Sequence, residues 1–439
     1  MRRFRFLDWR LDPEAGRVDL GYALDGLELR EVVDLGGAPT GLDTARREAL
    51  RRAVRLLHLV AGVSYYKACF APEIVIEGDP PDPATASFLR HLYDRGLAEC
   101  RFVNALAGFT TPRFPAAAGD RPGAAAAGLE TRALVPIGGG KDSIVTLESV
   151  RRVRPTPLLF SAGAAPAVLA TVAVAALPHV SVTRTLAPRL LELNREGAYN
   201  GHVPVTAINS CLAVIAALIH SASEVVMADE RSASVGSLVW DGVEVNHQYS
   251  KSWDFERRFA EVVRHDVAAD LTYFSLLRPW SELAIARAFA ALPAYHRAFV
   301  SCNRAFLIDS DRRTAGWCGD CPKCRFVSLA LAPFLGRDAV TGIVGRDLLG
   351  DPAQSAGYAA LLGIEADKPL ECVGEIEEAR VAMRLLADRQ GWRDAAVVRS
   401  LGGDARVRDL DHDAVDAVLA PSAPHALPET YRRFADALA

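Results

Sequence analysis

The stretch Arg132-Ala-Leu-Val-Pro-Ile-Gly-Gly-Gly-Lys-Asp-Ser143 decides the fold of this chain. A short apolar run, Ala133 to Ile137, delivers Gly138, Gly139 and Gly140, then Lys141, Asp142 and Ser143, and a helix-like segment runs from Ile144 to Arg152. That order predicts a strand, a tight glycine turn and a helix N-terminus. Such a turn is an anion site in outline. Glycines let the backbone approach a phosphate, the first helical amides lack internal partners, and the helix dipole favours negative charge. Lys141 adds a cation and Ser143 a hydroxyl. The spacing is not that of a Walker loop, and contiguous glycines do not make a dinucleotide fingerprint.

Outward from the loop, strands and helices alternate. Ala133–Ile137, Pro157–Ser161, Val180–Thr185 and Glu224–Ala228 read as strands, and Asp142–Arg152, Pro166–Leu177 and Val205–His220 as helices between them. The alternation predicts an α/β fold: a parallel sheet with helices on both faces, and ligands at the carboxyl ends of the strands. Upstream, Arg17–Leu24 and Leu27–Leu35 read as a hairpin turning at Asp25-Gly26, followed by a helix over Thr44–Val60, a short strand at Glu73–Ile76 and a helix over Thr85–Ala98. Pro115 to Gly128, rich in Ala, Gly and Pro, reads as a linker. Downstream of about Val340 the pattern is mostly helical, most clearly from Ile376 to Arg389. Three domains are expected: an N-terminal α+β unit over 1–125, a nucleotide-binding catalytic domain over 126–345, and a C-terminal helical region over 346–439.

With 439 residues, the chain is too long for a single compact core. Its 50 basic and 54 acidic side chains leave a net charge of -4, no electrostatic footprint for nucleic acid. Pro157 to Leu177 is Ala-rich but carries Pro166 in mid-span, which favours a buried crossover helix over a membrane span. The Arg-rich start lacks the apolar region of a secretory signal, so the expected location is cytoplasmic and no membrane partner is expected. Only five basic residues are Lys: Lys67, Lys141, Lys251, Lys323 and Lys368. Lys is the cation whose pKa responds most to burial, so those positions are of interest.

A second constellation is Trp317-Cys-Gly-Asp-Cys-Pro-Lys-Cys-Arg325, with Cys302 upstream. Cys302, Cys318, Cys321 and Cys324 suit a closed tetrahedral zinc site; an iron–sulfur cluster is the second reading of four thiolates. Four protein ligands would leave no open position, which makes the metal structural. Cys69, Cys100 and Cys211 read as small apolar residues. Three polar stretches remain: Asn200-Gly-His-Val-Pro204, Met227-Ala-Asp-Glu-Arg-Ser-Ala-Ser234 and Val245-Asn-His-Gln-Tyr-Ser-Lys-Ser252. Each alone could be a solvated loop. Together, in one sheet with the glycine loop, they point to a site.

The glycine loop resembles the pyrophosphate loop of the PP-loop ATP pyrophosphatases, with Gly138 in place of the usual Ser. The cysteine pattern resembles the zinc site of 7-cyano-7-deazaguanine synthase, itself a PP-loop enzyme. With Ser64-Tyr-Tyr-Lys67 and Pro369-Leu-Glu-Cys-Val-Gly374, nearly the whole chain resembles the UDP-N-acetyl-α-D-muramoyl-L-alanyl-L-glutamate epimerases of bacterial peptidoglycan synthesis. That resemblance implies a PP-loop catalytic domain and an isomerase that uses ATP and Mg²⁺. The reaction it implies inverts the terminal L-Glu of UDP-N-acetylmuramoyl-L-Ala-L-Glu to D-Glu, releasing AMP and pyrophosphate.

Removing the Cα proton beside a free carboxylate would build a dianion, whereas an acyl-adenylate neutralises that charge. On this reading Gly138, Gly139, Gly140, Asp142 and Ser143 cradle the phosphates, Lys141 supplies charge, and Asp142 or Glu230 helps to hold Mg²⁺. His202, His247, Lys251, Lys67 and Cys372 are the candidates for proton transfer, in no fixed order. Lys67 or Lys251 could instead bind the substrate's diphosphate or side-chain carboxylate. The rival readings are another adenylating enzyme, such as a deazapurine nitrile synthase or an amide ligase, and a non-catalytic, zinc-stabilised nucleotide-binding module.

Overall fold

The computed structural model describes residues 3–119, 122–306, 311, 313–365 and 368–435. The strands of its main sheet are β1 (Arg3–Asp12), β2 (Arg17–Leu24), β3 (Leu27–Asp34), β4 (Glu73–Ile76), β5 (Glu130–Pro136), β6 (Leu158–Ala162), β7 (His179–Thr185), β8 (Ala222–Met227) and β11 (Thr272–Ser275). They form one nine-stranded sheet in the order β11-β8-β5-β6-β7-β3-β2-β1-β4. The half from β11 to β7 is parallel, as the strand–helix alternation predicts. The hairpin β2–β3 turns at Asp25 and Gly26, both at positive φ, as read from the sequence. A separate small hairpin, β9 (Leu238–Trp240) and β10 (Val243–Val245), turns at Asp241-Gly242.

Side chains alternate across the parallel strands into two cores. Leu134, Leu158, Phe160, Val225 and Met227 face the helix Val205–Ile219, whereas Ala133, Val135, Leu159, Val226 and Phe274 pack with the helices Lys141–Arg151 and Pro166–Ala175. Helices therefore cover both faces. Val205–Ile219 is apolar nearly all round because the sheet lies on one side of it and the helix Thr44–Ala61 on the other. A third core gathers Glu282–Ala290, Pro322–Leu331 and Ile376–Ala387, the last being the amphipathic helix expected near the C-terminus. The chain then returns to the sheet: Tyr431 packs on Phe274 at 5.1 Å, and its hydroxyl donates to Glu224 at 2.5 Å.

Two features were not readable beforehand. The N-terminal strands extend the same sheet, because β3 pairs antiparallel with β7 over Val32–Thr185, Val33–Arg184 and Asp34–Thr183. The described residues of the stretch read as a linker, 115–119 and 122–128, are pinned to the fold. Ala117 N–H donates to Pro81 at 2.8 Å, and Asp270 accepts from the amides of Ala127 and Leu129 at 2.7 and 3.0 Å. No described helix is long and apolar enough to cross a membrane.

The β3–β7 seam is short, and a buried ion pair reinforces it. Glu31, fully buried, accepts from the Arg184 guanidinium through both oxygens, one at 2.8 Å, and the Ser64 hydroxyl accepts from Arg184 at 3.0 Å. Removing one member of such a pair strands the other charge out of water. Glu31→Gln is therefore expected to lower unfolding free energy by about 3–5 kcal/mol, read by urea denaturation; a loss under about 1 kcal/mol would place the strength of the seam elsewhere.

Candidate active site

The strand β5 ends at Pro136, and the helix Lys141–Arg151 begins four residues after Ile137. Between them Gly139 takes φ +80°, and a Cβ there would lie 2.9 Å from the Ala167 backbone. Its carbonyl accepts from Val300 N–H at 2.9 Å. Gly140 is the N-cap residue, with no side chain to cap the helix, so the first helical amides stay available to an anion. The Ser143 hydroxyl folds back to the Gly140 carbonyl at 3.0 Å.

Lys141 is placed differently from a free phosphate ligand. Its ammonium is buried and paired with Asp142 and Glu282. Burial works against the charge, but the two carboxylates outweigh it and hold the amine above its ordinary value. Glu282, in the first turn of Glu282–Ala290, also binds Lys323 at 3.2 Å. Lys323 lies between Cys321 and Cys324, so one buried carboxylate ties the glycine loop to the cysteine knuckle.

The knuckle itself is tight. Cys302 and Cys321 have sulfurs 3.9 Å apart, Cys318 and Cys324 3.8 Å, and Cys321 and Cys324 3.5 Å. Sulfurs at zinc-bond length around one tetrahedral centre sit about 3.8 Å apart. Amides of Cys318, Asp320 and Cys324 point at these sulfurs at 3.4 Å, which suits thiolates. The residue after Cys302, Asn303, donates to Glu371 at 2.6 Å and so fixes the segment that carries Cys372.

A second group gathers at the same edge of the sheet. β8 runs into Asp229 and Glu230, and β11 into Arg278, which is buried. Arg278 pairs with Glu256 at 2.8 Å and donates to the carbonyls of Glu230 and Lys251 at 2.6 and 2.5 Å, locking both loops. Burial lifts Asp229 to about 7 against the pull of Arg278 and Lys251. Burial, then Glu282, raises Glu230, with Asp142 adding to the effect. Lys251 stands among Cys372, Glu230, Asp229 and Asp142, and together they overcome its burial and keep it cationic.

Around Cys372 the imidazoles take opposite states. His247 binds Glu99 through Nδ1 and hydrogen-bonds Cys372, and these bonds outweigh burial to push it up to about 10. His202, its ring centroid 4.2 Å from that of His247, is pushed down to about 4 by burial and by the His247 charge. Burial alone would raise the Cys372 thiol, but Lys251 and His247 bring it below its ordinary value.

Comparison with known proteins covers nearly the whole chain. Family models described as the MurL N-terminal domain and the MurL C-terminal domain match residues 1–276 and 298–415. The chain belongs to the MurL family. A protein of Xanthomonas oryzae pv. oryzae named UDP-N-acetyl-alpha-D-muramoyl-L-alanyl-L-glutamate epimerase is 46% identical over 97% of this chain and 95% of its own. Proteins of the same name from Salinispora tropica and Micromonospora sp. are 41% and 42% identical, covering 100% and 99% of this chain and 96% and 97% of theirs. The chain is thus an epimerase, an isomerase by class.

Of the proton-transfer candidates that the sequence suggested in this MurL chain, His202, His247, Lys251 and Cys372 converge. Lys67 stands one layer back, where its ammonium is taken up by Asn194, the Tyr199 carbonyl and Asn200 at 3.1, 3.2 and 2.8 Å. It shapes the loop that presents His202. Glu99, Glu282, Lys323 and Arg278 were not singled out for the site. Lys323 was visible only as one of the rare lysines, and Glu282 looks like an ordinary first-turn acid.

The loop geometry distinguishes its glycines. Gly139→Ala combines a left-handed φ, costing about 1–2 kcal/mol, with the clash at Ala167, whereas a Cβ on Gly138 meets nothing within 4 Å. Chemical denaturation should show Gly139→Ala clearly destabilised and Gly138→Ala close to the native chain. Equal effects would contradict the loop conformation.

Proposed function

We propose that this MurL-family epimerase acts on UDP-N-acetylmuramoyl-L-alanyl-L-glutamate in peptidoglycan synthesis, and that ATP activates the terminal glutamate as an acyl-adenylate. The observation that carries the reading is the adjacency of two half-sites. A glycine turn with open helical amides lies at the end of β5, and the Lys251–Cys372–His247 group faces the ends of β8 and β11 on the same edge. One suits a phosphate chain; the other suits proton transfer at carbon. A PP-loop reading of the sheet accounts for the first.

In this scheme the α-carboxylate attacks the α-phosphorus of ATP, and pyrophosphate leaves toward the amides of the glycine turn. The carboxyl, now a mixed anhydride, no longer carries the charge that opposed ionisation of the adjacent C–H. Loss of that proton gives an enolate-like anion, which the Lys251 ammonium is placed to stabilise. A proton returns on the opposite face, and hydrolysis of the anhydride releases AMP and the D-glutamyl product.

Asp142 and Glu230, whose charges converge near Lys251, are the carboxylates at hand for Mg²⁺, which would supply positive charge to the triphosphate oxygens. The four sulfurs fit structural zinc. An open cleft bordered by Gly236, Ser237, Lys368, Glu375 and Arg380 offers room and cations for the sugar nucleotide.

Two measurements test this reading. With ATP, Mg²⁺ and the UDP-muramoyl dipeptide in deuterium oxide, AMP should form together with D-glutamyl product deuterated at Cα. Inversion without ATP would overturn the activation step, and AMP formation only with 7-carboxy-7-deazaguanine and ammonia would move the chain to another reaction. Metal analysis should give one zinc per chain, lost in Cys321→Ser together with cooperative unfolding; iron with sulfide would replace zinc by a cluster.

A further inference from the structure

Glu99, His247 and Cys372 come from three distant parts of the chain and meet at one point. Glu99 lies in the first turn of the short helix Ala98–Val103, and its side chain and that of His247 are only 12% and 18% exposed. The loop carrying His202 packs on the same helix so closely that a Cβ on Gly201 would sit 3.0 Å from the Cys100 sulfur. Asn104 holds that loop through the Asn200 carbonyl at 3.0 Å. The carboxylate thus sits on Nδ1 of His247, and the same imidazole hydrogen-bonds the Cys372 thiol. A carboxylate bound to an imidazole that in turn bonds a sulfur is the arrangement that keeps a thiolate ready at neutral pH.

We propose that Cys372 is the base that removes the glutamate Cα proton and that Glu99 is the positioning residue that maintains its thiolate through His247. The inference rests on the epimerase reading above and assigns its proton-transfer step. The C–H bond breaks, an S–H bond forms, and the electron pair moves onto the carbonyl oxygen of the activated carboxyl. A second acid protonates the opposite face and regains its proton from solvent, and the thiol loses its proton to solvent before the next turnover.

Three cations, Lys251, His247 and Lys323, face Cys372 and favour its ionised form over the penalty of burial. Glu371 and Glu99 face His247, with His202 alongside, and Asp142, Asp229 and Glu230 face Lys251. Glu99, His202 and His247 could also be imagined around a metal ion. The two rings, however, lie 4.2 Å apart with a 40° tilt, partly face to face, and Nδ1 of His247 is already engaged by Glu99. The geometry favours a relay.

The test follows alkylation of Cys372 by iodoacetamide against pH, by peptide mass spectrometry, in the native enzyme, Glu99→Gln and His247→Gln. The native thiol should titrate with a midpoint below that of a free thiol, near about 8.5, and both variants should move the midpoint upward toward it. Cα deuterium incorporation should follow the same shift in Glu99→Gln. Cys372→Ser should lose it at least a hundredfold while substrate-dependent ATP–pyrophosphate exchange stays within a few-fold of native.

An ordinary native midpoint, an unchanged midpoint in both variants, or full deuterium incorporation in Cys372→Ser would overturn the relay. So would a second metal ion per chain that disappears in Glu99→Gln. Absence of pyrophosphate exchange in the native enzyme would sink the epimerase reading instead, leaving the alkylation profile to judge the thiolate alone.

Discussion

A single buried carboxylate holds the site together. Glu282 lies between two ammonium groups, Lys141 from the helix that starts at the glycine turn and Lys323 from the helix that starts at the cysteine knuckle. A charge so far from water is tolerable only because both partners are in place, and loss of either would leave an uncompensated ion. The arrangement forces two otherwise independent constellations into fixed relation. Whatever anion the turn accepts and whatever metal the thiolates hold, their distance from one another is set by Glu282.

The chemistry of the site follows from that rigidity. The knuckle positions Asn303, which holds Glu371, and Cys372 is the next residue. Arg278 clamps the loops that carry Glu230 and Lys251, so Lys251 arrives beside the same sulfur. An acid proton next to a carboxylate is hard to remove because the product would carry two adjacent negative charges. On the proposed reading, the anion turn serves to neutralise the carboxylate first, and the thiolate and ammonium serve to take the proton second. The charges of Lys251, His247 and Cys372 depend on one another, so no one of them has its character alone.

Local signals carried far in this chain. The contiguous glycines, the apolar run before them and the strand–helix rhythm each report on a few neighbouring residues, and β5 to β8 with their helices stand where that rhythm puts them. The cysteine spacing likewise predicts its own convergence. What escaped was long-range pairing. Nothing near Glu99 marks it as the partner of His247, and nothing near Glu31 announces Arg184 across the β3–β7 seam. Pro115–Gly128 has a linker's composition, yet its described residues are tied down by hydrogen bonds to Pro81 and Asp270. Lys141 has a phosphate ligand's sequence context, yet its charge is spent inside the protein on Glu282.

One spatial relation is central: an activated glutamyl carboxyl beside the glycine turn would place its Cα against the Cys372 sulfur. A crystal structure with a non-reactive sulfamoyl-adenosine analogue of the UDP-muramoyl dipeptide measures this directly. The sulfamoyl group, in the place of the α-phosphate, should lie beside the turn at Gly138–Gly140, with the glutamyl Cα about 3.5 Å from the Cys372 sulfur. An analogue bound away from the turn, or bound there with Cα out of reach of the thiol, would contradict it.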